Sequence, residues 1–216
     1  MRYPTHVAIA LRPYTDADAA RASAYLCDAA RLDDTLRPAP VEEWRTFVAS
    51  SFNHDGRDFV LAEEDGVIVA ILMSTRYESR GAQIRNVRIS VHPHHRRRGI
   101  ATRLMKIVDG QDPDGKATIR ASVPGSWVAG THLVKSRGFE PRDTDLEMRL
   151  SEQAWQQMDA QAPCEMPIRS YAHCPQDDEA WVALSAEAYG DTPDYTALTP
   201  GDLATLRTEP GFGLWF

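Results

Sequence analysis

The sequence of 216 residues predicts an α/β fold in which one strand–loop–helix unit organises a first domain and a partial copy of that domain follows. Three observations predict it. Short alternating apolar runs are interleaved with segments of helical periodicity. One alternating strand, through Val87, Ile89 and Val91, runs by a basic loop into an amphipathic helix carrying Ile100, Ala101, Leu104, Ile107 and Val108. Finally, the segment from residue 165 onward repeats the pattern of the first sixty residues.

The elements follow in order. Residues 7–12 read as a strand ended by Pro13. Thr15 or Asp16 can cap a helix whose apolar positions are Ala19, Ala22, Leu26, Cys27 and Ala30. Asp33 and Asp34 fall in a polar loop that ends at Pro38 and Pro40. A second helix, 41–51, gathers Trp44, Phe47 and Val48 on one face, and a turn at 53–56 follows. Strands at 59–62 and 67–74 flank Glu63-Glu64-Asp65-Gly66, and Asp-Gly between apolar runs is a hairpin signal. A polar stretch at 76–80 leads to the strand 83–91. The helix after the loop ends near Gly110. Ile119, Ala121 and Val123 alternate in a further strand that Pro124-Gly125 breaks. A short helix at 126–136 reaches Gly138-Phe139, and Leu146, Met148 and Leu150 alternate in a last strand.

The loop between strand and helix carries the chemistry. A helix start presents backbone N–H groups that lack intrahelical partners, and its dipole favours an anion. Gly99 admits close approach or a positive φ, and Ala101 leaves room for a bulky group. Arg96, Arg97 and Arg98 add charge and bidentate donors. The pattern is a pyrophosphate cradle on the amides of residues 97–102. It lacks the Gly-Lys-Ser/Thr of a Walker loop and does not follow the first strand as a Rossmann fingerprint does.

Composition bounds the rest. An apolar fraction of 43% is enough for a sizeable core. A net charge of −7 argues against nonspecific nucleic-acid binding. Cys27, Cys164 and Cys174 form no Cys-x-x-Cys pair, and residues 1–6 show no apolar leader, so a reduced, cytoplasmic protein is expected. No segment has the length and apolarity of a membrane span, so no membrane partner is expected.

The pattern Arg96-x-x-Gly99-x-Ala101, entered through Val91-x-Pro93, resembles the acyl-CoA loop of the GNAT superfamily of N-acetyltransferases. A second stretch, Ala129-x-x-x-Leu133-x-x-x-Arg137-Gly138-Phe139-Glu140, resembles that family's last helix and the Gly-Phe after it. The resemblance covers about residues 7–150. It implies the GNAT fold, a central mixed and mostly antiparallel sheet flanked by helices. It also implies acetyl-CoA as acyl donor, bound by Ile89, Ser90 and Val91 at the strand end and by Arg96, Arg97, Arg98, Gly99, Ile100, Ala101 and Thr102 in the loop. The acceptor would be a primary amine of a small molecule or peptide. The alternative is a noncatalytic CoA-binding module with a structural or regulatory role. Asp33, Asp34 and Glu78 would border the acceptor cleft. No catalytic residue is assigned: Glu63, Glu64, Glu78 and His92 are candidate bases, Val134 stands where the family often carries a tyrosine acid, and Ser126 is the nearest match to a frequent asparagine. His92, His94 and His95 suggest a metal by type, but the adjacent arginines repel a cation, so none is expected.

Three stretches define the domain organisation: residues 1–150, a linker helix within 151–164, and an incomplete second unit at 165–216. Ile168-Arg169-x-Tyr171 echoes Leu11-Arg12-x-Tyr14, Pro200 echoes Pro40, and Trp215 echoes Phe59, at offsets of 157, 160 and 156. This resembles the tandem-GNAT arrangement of mycothiol synthase-like proteins. The second unit as given has no loop of its own. Trp181, Leu184, Tyr189, Leu203 and Leu206 need cover, so a homo-oligomer through 165–216 is expected.

Overall fold

The computed structural model of the chain describes residues 8–49, 59–79, 81–112, 115–142, 144, 175–191 and 197–207. The first unit runs β1 (Ala10–Pro13), α1 (Ala19–Leu32), α2 (Val41–Ala49), β2 (Val60–Glu64), β3 (Val67–Ser79), β4 (Ala82–Val91), α3 (Ile100–Gly110), β5 (Thr118–Ala121) and α4 (Val128–Ser136). This is the predicted order. The expected strand at Leu146–Leu150, the linker helix and the strands near Ile168 and Trp215 lie outside the described residues.

Among the described residues the strands form one sheet in the order β1-β2-β3-β4-β5. β1 to β4 are antiparallel neighbours, and β5 joins β4 in parallel. The β2–β3 hairpin turns on Asp65 (φ 50°) and Gly66 (φ 77°). Both central residues are left-handed, as the tight hairpin turn that matches strand twist requires.

The next hairpin differs from the sequence expectation. Residues 76–80 read as a polar loop, yet β3 continues to Ser79. Arg76 pairs with Arg85, Tyr77 with Ile84 and Glu78 with Gln83. Arg76 and Tyr77 are exposed while Arg85 and Ile84 opposite them are buried, so the polar composition of 76–79 conceals a strand whose backbone groups are satisfied by pairing.

The sheet separates two apolar layers. On one side Ala19, Ala22, Tyr25, Leu26 and Ala29 of α1 and Trp44 and Val48 of α2 pack on Leu61, Ile71 and Met73. On the other side Ile100, Leu104, Met105 and Val108 of α3 pack on Val60, Ala62, Ala70 and Leu72, with Leu133 and Phe139 joining from the α4 region. The buried stripe of α1 is rotated from the expected one. Tyr25 and Ala29 are buried, whereas Cys27 and Ala30 are half-exposed. Further along the chain the described residues form α5 (Asp178–Tyr189) and α6 (Pro200–Arg207), tied by a bidentate pair between Arg207 and Asp178. Leu203 is buried, while Leu184 and Tyr189 are exposed.

An ion network fixes β1 to α1 and β2. Arg12 donates to both oxygens of Asp18, at 2.6 and 2.7 Å, and to both of Glu63, at 2.8 and 3.0 Å. The Thr15 amide and hydroxyl also donate to Asp18. These hydrogen bonds, Arg12 first, hold the Asp18 carboxyl well below its ordinary value of 3.8 against the opposing effect of burial. A depressed carboxylate stabilises the fold above its unfolded pKa, and the contribution fades as pH falls through the folded value. Asp18→Asn should therefore cost ~1.5–3 kcal/mol at pH 7, the range for hydrogen bonds to charged groups, and the gap to wild type should narrow below about pH 4. Urea unfolding at both pH values checks this; equal stabilities at pH 7 would contradict it.

Candidate functional site

Pairing between β4 and β5 covers Ile84 to Val87 against Thr118 to Ala121 and then stops. Arg88 to Val91 remain paired with β3 alone. The His92 amide donates to Val69 O at 2.9 Å, on the β3 side. By strand alternation the backbone of Ser90 also faces β3, and Ile89 and Val91 turn theirs into the opening. Of the three expected strand-end residues, two thus offer backbone groups there. Ser90 offers its hydroxyl elsewhere, 2.9 Å from the phenol of Tyr25 in the α1 layer. Burial pushes that phenol above its ordinary value, so it stays protonated at neutral pH.

The opening leads directly to the loop. A single 3₁₀ turn, Pro93–His95, is followed by Arg97 (φ 64°) and Gly99 (φ 75°), both left-handed. A Cβ built on Gly99 would meet nothing within 4 Å. The positive φ, not crowding, is the reason for glycine here. The first intrahelical bond of α3 runs from the Arg103 amide to Gly99 O, at 3.0 Å. The amides of Ile100, Ala101 and Thr102 therefore project from the helix start at its positive end.

The three arginines behave differently from one another. Arg98 makes a bidentate pair with Glu64, and His95 Nδ1 lies 3.0 Å from both partners. Arg96 donates to Asp33 Oδ2 at 2.6 Å and to Val91 O at 3.1 Å. Arg97 is exposed and makes no ion pair among the described residues. Of the three, Arg97 alone has no carboxylate partner among the described residues and lies beside the backbone amides of the helix start, while the other two charges are already compensated.

The structure places the remaining candidates as follows. Asp33 accepts from the Thr35 amide and hydroxyl, from Arg96 and from Trp127 Nε1. Burial raises its pKa, but the bonds from Thr35 and Arg96 outweigh burial and leave it below the usual range. Asp34 is exposed one residue further on. Glu78 pairs at the far end of β4, eight residues from Val91, which is about 27 Å along a strand; it is not brought together with the loop. Glu63 and Glu64 are held below the usual range chiefly by Arg12 and Arg98 respectively, which makes both poor proton acceptors. His92 has both ring nitrogens engaged: Nδ1 accepts the His94 amide, which puts the proton on Nε2, facing Asp28 at 3.2 Å. Val134 is half-buried on α4.

Sequence reasoning missed Tyr25 and Trp127. Tyr25 follows from counting the α1 stripe one position earlier. Trp127 carries no sequence signal, because its role depends on a carboxylate 94 residues away.

The strand order, the parting of β4 from β5 and the loop on α3 together define the GNAT fold. Residues 55–141 match the family described as acetyltransferase (GNAT) domain. It is 28% identical over 186 residues to a mycothiol acetyltransferase from Parafrankia sp., covering 82% of this chain and 51% of the relative. A mycothiol acetyltransferase from Salinispora tropica is 32% identical over 137 residues, covering 58% of this chain and 39% of the relative. The chain thus spans about half or less of these relatives' length. Among solved structures, a GNAT-family acetyltransferase from Streptococcus pneumoniae superposes with a TM-score of 0.51 at 21% identity, over 63% of this chain and 87% of that one. An N-acetyltransferase from Staphylococcus aureus Mu50 gives 0.52 at 17%, over 62% and 84%. At these identities the structures speak for the fold alone.

Gly99→Asp should abolish anion binding at the α3 start, since it adds a β-carbon at positive φ and a negative charge beside the amides. Calorimetry with coenzyme A on the folded variant checks this; affinity equal to wild type would remove the site from the loop.

Proposed function

We propose that this chain binds acetyl-CoA and transfers the acetyl group to a primary amine of a small molecule or peptide. One observation carries the proposal: the unpaired edge of β4 beyond Val87 runs without interruption into the free amides of α3. An extended, amide-bearing arm fits the first, and a pyrophosphate fits the second. Ile89 and Val91 would hold the arm, and Arg97 with the amides of Gly99 to Thr102 would hold the phosphates. When bound, the donor supplies an activated acyl group. The chain's own part is to align donor and amine and keep water out of the opening. No tyrosine stands at Val134, so proton delivery to the leaving thiol would come from solvent in the cleft. The relatives' name makes a mycothiol-type acceptor the first to try.

Thiol release from acetyl-CoA with a panel of primary amines tests the proposal. Turnover that depends on the amine and vanishes in Gly99→Asp is expected. Tight coenzyme A binding with no turnover on any amine would favour the noncatalytic module instead.

We further propose that residues 165–216 begin a second GNAT-like unit. The 3₁₀ turn before α5, α5 itself and α6 each begin 159 residues after their counterparts: 175 against 16, 178 against 19, and 200 against 41. This spacing lies close to the three offsets read from the sequence, two of whose anchors, Ile168 and Trp215, lie outside the described residues. The 186-residue match to the Parafrankia protein also covers more of the chain than residues 1–150 account for. Exposed Leu184 and Tyr189 on α5 support self-association through this unit. Light scattering should show a mass above the monomer that falls when 165–216 are removed; a monomeric full-length chain would refute the association.

A further inference from the structure

Arg96 opens the loop pattern, and the sequence assigns its charge to a phosphate. Its guanidinium is turned elsewhere. Nε donates to Val91 O at 3.1 Å, and NH2 to Asp33 Oδ2 at 2.6 Å. The guanidinium carbon lies 4.8 Å from the centre of the Trp127 ring. Trp127 Nε1 donates to the same Asp33 oxygen at 3.1 Å. Three segments far apart in sequence meet here: the loop after α1, the loop after β4, and the residue that precedes α4.

We propose that Asp33, Arg96 and Trp127 form a clasp across the mouth of the opening, in which Arg96 positions the cofactor loop and Asp33 serves Arg96 rather than the acceptor amine. The inference rests on the acetyl-CoA site proposed above. Three features argue for it. The Asp33 side chain is only 10% exposed, so moving Arg96 to a phosphate would strand a carboxylate without its counter-charge. The guanidinium plane is fixed twice, by its fork of donors and by the indole beneath it, which lysine cannot reproduce. Arg96 also occupies the Val91 carbonyl. An extended ligand on this edge therefore finds the Val91 amide and the Ile89 carbonyl but not the Val91 carbonyl, and the clasp sets where ligand pairing ends.

A double-mutant cycle on the full chain tests the clasp, with coenzyme A as the probe in calorimetry. Asp33→Asn and Arg96→Gln should each weaken coenzyme A by a similar factor, about 5- to 20-fold, and the double variant should be no worse than either single, since both break one unit. Arg96→Lys should be as weak as Arg96→Gln. Tighter coenzyme A binding in Asp33→Asn, multiplying effects, or rescue by lysine would show that Arg96 is a phosphate ligand and overturn the proposal. A raised KM for the amine in Asp33→Asn with unchanged coenzyme A affinity would return Asp33 to the acceptor and overturn it as well. The Trp127 indole N–H resonance, assigned with Trp127→Phe, supplies a ligand-free measurement. It should move in Asp33→Asn and in Arg96→Gln while other indole resonances stay; an unmoved resonance refutes the clasp. Wild type that fails to bind coenzyme A would refute the site proposed above, and the indole resonance would still decide the clasp.

Discussion

Two parallel strands that part leave backbone donors and acceptors without a strand partner. In this chain β4 and β5 part after Val87 and Ala121, and the arrangement of the rest follows. β3 pairs with β4 over its whole length. The apolar layers hold it from both faces, α3 through Ile100 and Leu104, and α1 through the Tyr25–Ser90 contact. The opening is therefore a rigid gap with one fixed wall, and the helix start that follows Val91 is delivered to its mouth by a loop of eight residues. Preformed geometry of this kind lowers the ordering cost of binding.

Charge around the gap is more evenly balanced than the run of arginines suggests. Asp33 and Glu64 each take one arginine from the loop. The two carboxylates come from opposite neighbours, the segment after α1 and the β2–β3 hairpin, so the loop is braced on both sides. Bracing of this type confers shape, because each arginine is held by a largely buried carboxylate. Of the three loop arginines, only Arg97 is left without a carboxylate among the described residues, beside the dipoles of the helix start.

The fold was legible wherever the signal was local. Asp65-Gly66 announced its hairpin, Gly99 its left-handed turn, and Ile100, Leu104 and Val108 the buried face of α3. What was not legible depended on contacts between distant segments. The polar stretch Arg76 to Ser79 became strand because β4 lay opposite to pair it. Tyr25 took the core position expected for Cys27 because the sheet set the rotation of α1. Arg96 and Arg98 read as ligands for an anion because their carboxylates lie 63 and 34 residues away in the chain. The strand–loop–helix unit was read from spacing; how the charges of its loop are distributed required the structure.

The short unpaired edge also bears on whether a strand from another chain can add to it. A free row of strand amides and carbonyls is a template for another chain's strand, the first step toward fibrous association. Here the row is four residues long, too brief for a stable intruding strand. Exposed Arg88 places a charge at one end, and at the other Arg96 already fills the Val91 carbonyl. The same features that would limit a ligand to one register would also deny the edge to a neighbouring molecule, so the chain carries an open strand without the sticking surface that open strands usually bring.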